Sequence, residues 1–166
     1  GLASSQIDRL KQAGIKTTIS VDKVAASGGY MMACVADKII AAPFAIIGSI
    51  GVVAELPNIN RLLKRFDVDI EQHTAGNFKR TLTVLGKNTE EGRQKFKQEL
   101  ADTHLLFKGF VAEHRPNLDI EQVSTGEHWY ATQAIEKLLV DEIKTSDDFV
   151  LQALKDFEIF KVEYKI

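Results

Sequence analysis

Apolar positions along this chain come in short blocks whose spacing switches between helical and strand-like periods. Leu2, Ile7 and Leu10 lie on one helical face. They predict a first helix over about Ser5 to Ala13, stopped by Gly14. Ile15 to Val21, rich in Thr and Ile, reads as a strand. After Asp22-Lys23 comes Val24-Ala25-Ala26, and Ser27-Gly28-Gly29 opens an apolar helix to about Ala36. Lys38 to Ala42 and Ile46 to Ala54 read as short strands, apolar on both faces, which predicts a sheet covered on both sides.

The second half continues the alternation. Asn58 to Phe66 reads as a helix and Val68 to Thr74 as a strand of period two, followed by the loop Ala75 to Arg80. A long helix is predicted from an Asn88 cap, with Glu91 as its capping-box partner, to about His114, where Pro116 ends it. Thr132 to Leu139 is a predicted helix, Val140 to Ile143 a strand and Ser146 to Phe157 a last helix. Glu158 to Ile166, with Phe160, Val162 and Tyr164, alternates like a strand. Strands and helices in alternation predict an α/β domain with a mainly parallel sheet and flanking helices.

Composition narrows the function. A chain of 166 residues with 45% hydrophobic and 27% charged residues predicts one soluble domain with its own core. A net charge of −2 supplies no broad basic field, so nucleic acid is not an expected partner. No cofactor or metal is implied. Cys34, the single cysteine, sits in the apolar run Met31 to Ala36 and reads as a small buried hydrophobe. The longest apolar run, Ile39 to Ala54, is broken by Pro43, Gly48, Ser49 and Gly51 and is no membrane span. The chain opens in helical spacing without an initiator methionine, so it is expected to be part of a longer protein, with targeting segments outside it.

The candidate chemistry lies at Ala25-Ala26-Ser27-Gly28-Gly29. A serine hydroxyl is a weak nucleophile that needs a base and oxyanion donors. A tight strand-to-helix turn exposes the hydroxyl and aims the free N–H groups of the helix start at developing negative charge. Gly28 would offer one such N–H. The competing reading is a helix N-cap, for which serine is favoured. Two types of base are open. His104 and His114 lie on the long charged helix and read as solvated, while His73 and His128 read as structural. None follows an acid at a strand end. A lysine base must lose its proton, so its ordinary pKa of about 10.4 has to fall toward about 7–8 by burial. Lys79, in a short loop beside Gly76 and Phe78, fits this role, and equally fits an ordinary solvated loop lysine.

Several ordered motifs choose between these readings. Val24-Ala25-Ala26-Ser27-Gly28-Gly29-Tyr30, Ala36-Asp37-Lys38-Ile39, Ile47 to Val52, Thr74 to Leu82, Thr125 to Tyr130 and Leu139 to Ile143 together resemble the signal peptide peptidase A family, in particular its smaller inner-membrane members. The resemblance runs from Gly1 to about Leu151. It implies a ClpP/crotonase-like fold and a Ser-Lys dyad without cofactor. The family lysine follows its serine by 52 positions, which here is Lys79; a second serine follows by 22, which is Ser49, expected to hydrogen-bond the lysine amine. Ser49 also reads as a turn serine between Gly48 and Gly51. Val52 stands where ClpP's histidine would fall.

The resemblance further implies an endopeptidase acting on short apolar peptides such as cleaved signal peptides. It implies homo-oligomers whose active sites lie at protomer interfaces, and an inner-membrane anchor with the catalytic domain on the periplasmic side. The family's Ser-Pro-Gly-Gly loop, which supplies a second oxyanion donor, is expected upstream of Gly1, so this stretch alone is expected to be weakly active or inactive. A crotonase-type acyl-CoA enzyme or a silent scaffold on the same fold are the alternative functions.

Overall fold

The computed structural model describes residues 1–76 and 78–163. Its elements are α1 (Leu2–Gln12), β1 (Thr18–Val21), β2 (Val24–Ala26), α2 (Gly28–Ala33), β3 (Lys38–Ala41), β4 (Ile46–Gly48), α3 (Asn60–Arg65), α4 (Glu90–His114), α5 (Ile120–Val123), β5 (His128–Tyr130), α6 (Ala131–Ala134), β6 (Glu142–Ile143) and α7 (Ser146–Ala153). Two compact units result. One comprises Gly1–Gly51 with Phe107–Ile166, the other Val52–Leu106.

Among the described residues, the first unit holds every strand. One sheet has the order β1-β3-β6 and the other β2-β4-β5. β1 pairs with β3, β3 with β6 and β2 with β4, all in parallel; only β5 runs antiparallel, against β4. This is the mixed α/β fold with a mainly parallel sheet and flanking helices that the alternating blocks predict. The chain steps between the two sheets four times, through Asp22-Lys23, through α2, through the turn between β3 and β4, and through α6. The core forms where the apolar blocks meet. Tyr30, Cys34, Val35, Ile39, Ile40, Ile47, Ile50, Val111, Val123, Leu139 and Val140 are all fully buried. Tyr30 is polar at one end, and its buried hydroxyl donates to the Leu139 carbonyl at 2.9 Å, which offsets the cost of burying it.

β6 is pinned by charge. The Asp141 carboxylate accepts from the Ile39 N–H at 2.7 Å and from both terminal nitrogens of Arg115. Burial alone would raise the Asp141 pKa, but the Arg115 hydrogen bonds and the Ile39 N–H outweigh it and hold the carboxyl below its usual range.

In the second unit, asparagine side chains hold two irregular segments together. Asn58 Nδ2 donates to the carbonyls of Thr83 and Gly86, at 2.8 and 2.9 Å, and Asn60 Nδ2 to Leu85 at 2.7 Å. The cap of α4 differs from the expected one. Asn88 turns back to accept from the Thr83 N–H at 2.8 Å, and the Thr89 hydroxyl accepts from the Gly92 N–H at 3.0 Å. Thr89 is therefore the side chain that satisfies an orphan donor of the first turn.

Other elements depart from their predicted spans. The predicted strand Val68 to Thr74 is not formed, because among the described residues it has no partner strand and its side chains are exposed. Alternation marks two faces, but a strand also needs a ladder. The strand from Ile46 ends at Gly48 instead of Ala54, since Gly48 and Ser49 both take positive φ and turn the chain. α2, α6 and α7 are shorter than their apolar runs, and residues 158–163 form no strand. Residue 77 of the predicted loop and residues 164–166 of the predicted tail lie outside the described residues.

Candidate active site

Ser27 occupies the single residue between β2 and α2, with φ 51° and ψ −119°. A residue with a Cβ is strained there. The strain follows from local demands. The Ala26 backbone must stay in the β2–β4 ladder, while α2 starts one residue later, so the whole change of direction falls on Ser27. Its N–H donates to the Gly48 carbonyl at 2.8 Å, and its carbonyl accepts from the Met31 N–H at 3.0 Å. Ser27 thus stands at the N-cap position, yet its hydroxyl makes no capping hydrogen bond. The residue is exposed.

Gly28 opens α2, so its N–H has no intrahelical carbonyl to pair with. A Cβ placed on Gly28 or Gly29 would meet nothing within 4 Å. These glycines are therefore not required by packing inside the chain. They leave the helix start open to another backbone.

Ser49 lies beside Ser27. The ladder pairs Ala26 with Gly48, so each serine is the next residue along two neighbouring parallel strands. Both have φ 51°. Ser49 is half-buried, and its N–H donates to the Glu127 carbonyl at 2.7 Å. On the far side of β4, His128 pairs with Gly48 and Trp129 with Ile47. Gly48, at φ 103°, has no room for a side chain, because a Cβ would come within 3.0 Å of two Trp129 ring carbons. Sequence reasoning noted Trp129 only as part of a motif and missed β5, which at three residues is too short for periodicity to register.

Lys79 belongs to the second unit. Its N–H donates to the Gly76 carbonyl at 3.2 Å, and its side chain is exposed. With Arg80, His73, Ile70, Val84 and Leu85 it lines a shallow concavity of about 470 Å³ in that unit. The structure thus brings Ser27, Gly28 and Ser49 to one edge of the first unit, and describes Lys79 within the other.

The remaining candidates are committed elsewhere. Cys34 is fully buried at the end of α2, and burial pushes its thiol up to about 12, which keeps it protonated at neutral pH. His104 and His114 are half-buried, not solvated as their charged helix suggested. His114 packs against Phe110, with ring centroids 4.4 Å apart, and His104 keeps a buried Nε2 without a partner among the described residues. His73 is exposed, with Nε2 3.6 Å from Glu71.

The model of peptidase family S49 matches residues 9–159. The chain belongs to peptidase family S49. It is 64% identical over 166 residues to the probable protease SohB of Haemophilus influenzae, covering 100% of this chain and 47% of that protein. It is 60% identical over 164 residues to the probable protease SohB of Buchnera aphidicola from Acyrthosiphon pisum, covering 99% and 49%. A putative protease of Methanocaldococcus jannaschii is 32% identical over 143 residues, covering 84% of this chain and 44% of its own. The chain therefore spans about half the length of these curated relatives. The S49 assignment agrees with the resemblance read from the motifs and with the mixed α/β fold. Among the described residues, no helix is long and apolar enough to cross a membrane.

Proposed function

We propose that the protein containing this chain is a serine endopeptidase that cleaves short apolar peptides, with Ser27 as nucleophile and Lys79 as general base. The observation that carries the reading is Ser27 itself. It is strained at a strand-to-helix turn, it is exposed, and its hydroxyl is not spent on capping the helix behind it. A serine kept only as a cap would spend its hydroxyl on that helix. Strain of this kind is characteristic of nucleophile turns.

In the proposed mechanism Ser27 Oγ attacks the scissile carbonyl carbon. Lys79 Nζ accepts the hydroxyl proton and then delivers it to the leaving amine. The Gly28 N–H donates to the oxyanion, and the open surface over Gly28-Gly29 admits the substrate backbone. Water next attacks the ester formed on Ser27, losing a proton to the neutral lysine, and the acid product departs as Ser27 is regenerated. Ser49, one strand over, orients the lysine amine. Lys79 is supported by its spacing from Ser27 and by the resemblance. Its side chain is exposed here, so the role requires apolar cover from a bound peptide or from a neighbouring protomer. A homo-oligomer with shared active sites, anchored at the bacterial inner membrane with its catalytic domain on the periplasmic side, is part of the same proposal.

Labelling of the full-length protein by a fluorophosphonate tests the reading. The label is expected on Ser27 and is lost in Ser27→Ala. Hydrolysis of a fluorogenic apolar peptide is lost in Ser27→Ala and in Lys79→Ala, and Lys79→Arg does not restore it because arginine stays charged. Undiminished turnover by Ser27→Ala would refute the proposal.

A further inference from the structure

Ser27 and Ser49 share one hinge. Gly48 accepts the Ser27 N–H through its carbonyl and precedes Ser49 in the chain. Its φ of 103° lies where only glycine is at ease, and it has no Cβ to restrict its backbone. Left unrestrained, that freedom would let the Gly48 carbonyl and the Ser49 backbone turn independently, and the relation between the two hydroxyls would be lost.

One side chain occupies the space where that freedom would be expressed. The Trp129 ring stands 3.0 Å from where a Gly48 Cβ would lie. The ring is itself held in place. Its backbone is in the ladder with Ile47, it packs against the buried core, and Lys137 Nζ lies 5.0 Å from its centroid. The residue just before its strand also grips Ser49, through the Glu127 carbonyl at 2.7 Å. The Gly126 N–H donates to the Ile50 carbonyl at 3.2 Å, which extends the same grip beyond the turn. β5 and the residues before it thus brace both serines from the side away from β2.

We propose that Trp129 is a positioning residue for the Ser27/Ser49 pair, acting through Gly48 and touching no substrate. The inference rests on the proposed peptidase reading. A displacement of about 1 Å at a reacting group can cost roughly 100-fold in rate, so the effect belongs in the acylation rate, not in substrate affinity.

The test is a ladder of Trp129 variants in the full-length protein, with active sites titrated by fluorophosphonate. Trp129→Ala and Trp129→Leu are expected to lower kcat per titrated site by about tenfold or more, with KM within about twofold of wild type. Trp129→Phe, which keeps a ring against Gly48, is expected to stay within about threefold. Trp129→Leu keeps apolar bulk in the core, so it carries the test if Trp129→Ala fails to fold. A purely structural role predicts a different result, in which fewer sites titrate and each works at the normal rate. Trp129→Leu turning over per site as fast as wild type overturns the inference. Ser27→Ala separates the two levels. Activity surviving in Ser27→Ala removes the peptidase reading itself, whereas a silent Ser27→Ala with a fully active Trp129→Leu removes only the positioning role.

Discussion

Replacing Ser27 by glycine is expected to stabilise the fold while removing the nucleophile. At φ 51° and ψ −119° the Ser27 Cβ crowds its own backbone, and strain of this type costs about 1–3 kcal/mol. Glycine releases that strain but brings back roughly 0.5–1 kcal/mol of chain entropy in the unfolded state. The net gain for Ser27→Gly is then about 0–2.5 kcal/mol, or a Tm rise of up to about 10 °C for a chain of this size. Ser27→Ala keeps the Cβ and loses no capping bond, so it is expected within about 0.5 kcal/mol of wild type. A serine that caps α2 would behave in the opposite way. Alanine would cost about 0.5–2 kcal/mol and glycine a few tenths. Urea titrations of the three proteins decide between them, provided the m-values agree. A Ser27→Gly protein less stable than wild type, with Ser27→Ala about 1 kcal/mol below it, would sink the assignment of strain to this turn.

Two further outcomes follow from the ionisable groups. The Ser146 hydroxyl and N–H hold Asp22 below its usual pKa, the Thr17 N–H does the same for Asp37 against the opposing effect of burial, and Lys144 and Lys38 do so for Glu142; Asp141 is lowered as well. A carboxyl depressed in the folded state stabilises it above the unfolded pKa of about 4, and the contribution is lost as pH falls through the folded value. Urea midpoints should therefore show no loss from these groups between about pH 5 and 7 and drop below about pH 4, with a shallower acid limb in Asp141→Asn; an acid limb identical in that variant would count against the assignment. Cys34, buried and protonated, should resist a thiol reagent such as DTNB at pH 8 and release one equivalent only after denaturation, whereas rapid reaction of the folded protein would show that α2 opens.

Much of this was legible in the residues. The parallel sheet could be read because Lys38 to Ala42 and Ile46 to Ala54 carry mostly apolar side chains on both faces, and that pattern has few other uses. Ser27 could be placed because a strand-like run meets glycines with no polar linker between them. The strain at Ser27 could not be read, because φ is decided by where the β2–β4 ladder ends, and that depends on a pairing 22 residues away. Trp129 stayed hidden for a related reason. Its role comes from lying across from Ile47 and Gly48, and a three-residue strand has no period to reveal its partner. The failed strand at Val68 to Thr74 shows the converse, since a clean alternation carries no information about whether a neighbour exists to complete it.

The parallel register of β6 also sets the timing of folding. Ile40 pairs with Glu142, and the Ile39 N–H is satisfied by Asp141, a separation of 102 residues. Tyr30 waits a little longer, 109 residues, for the carbonyl of Leu139. At a synthesis rate of about 5–20 residues per second, the outer edge of β3 is exposed for roughly 5–20 s before its partner leaves the ribosome. During that interval Ile39, Ile40 and Ala41 form an apolar strand with an unpaired flank, the kind of surface that chaperones bind and that aggregation exploits. The short β6, through two paired residues and one aspartate, closes that window, so substitutions at Asp141 should lower the yield of folded protein in the cell by more than their effect on the finished fold.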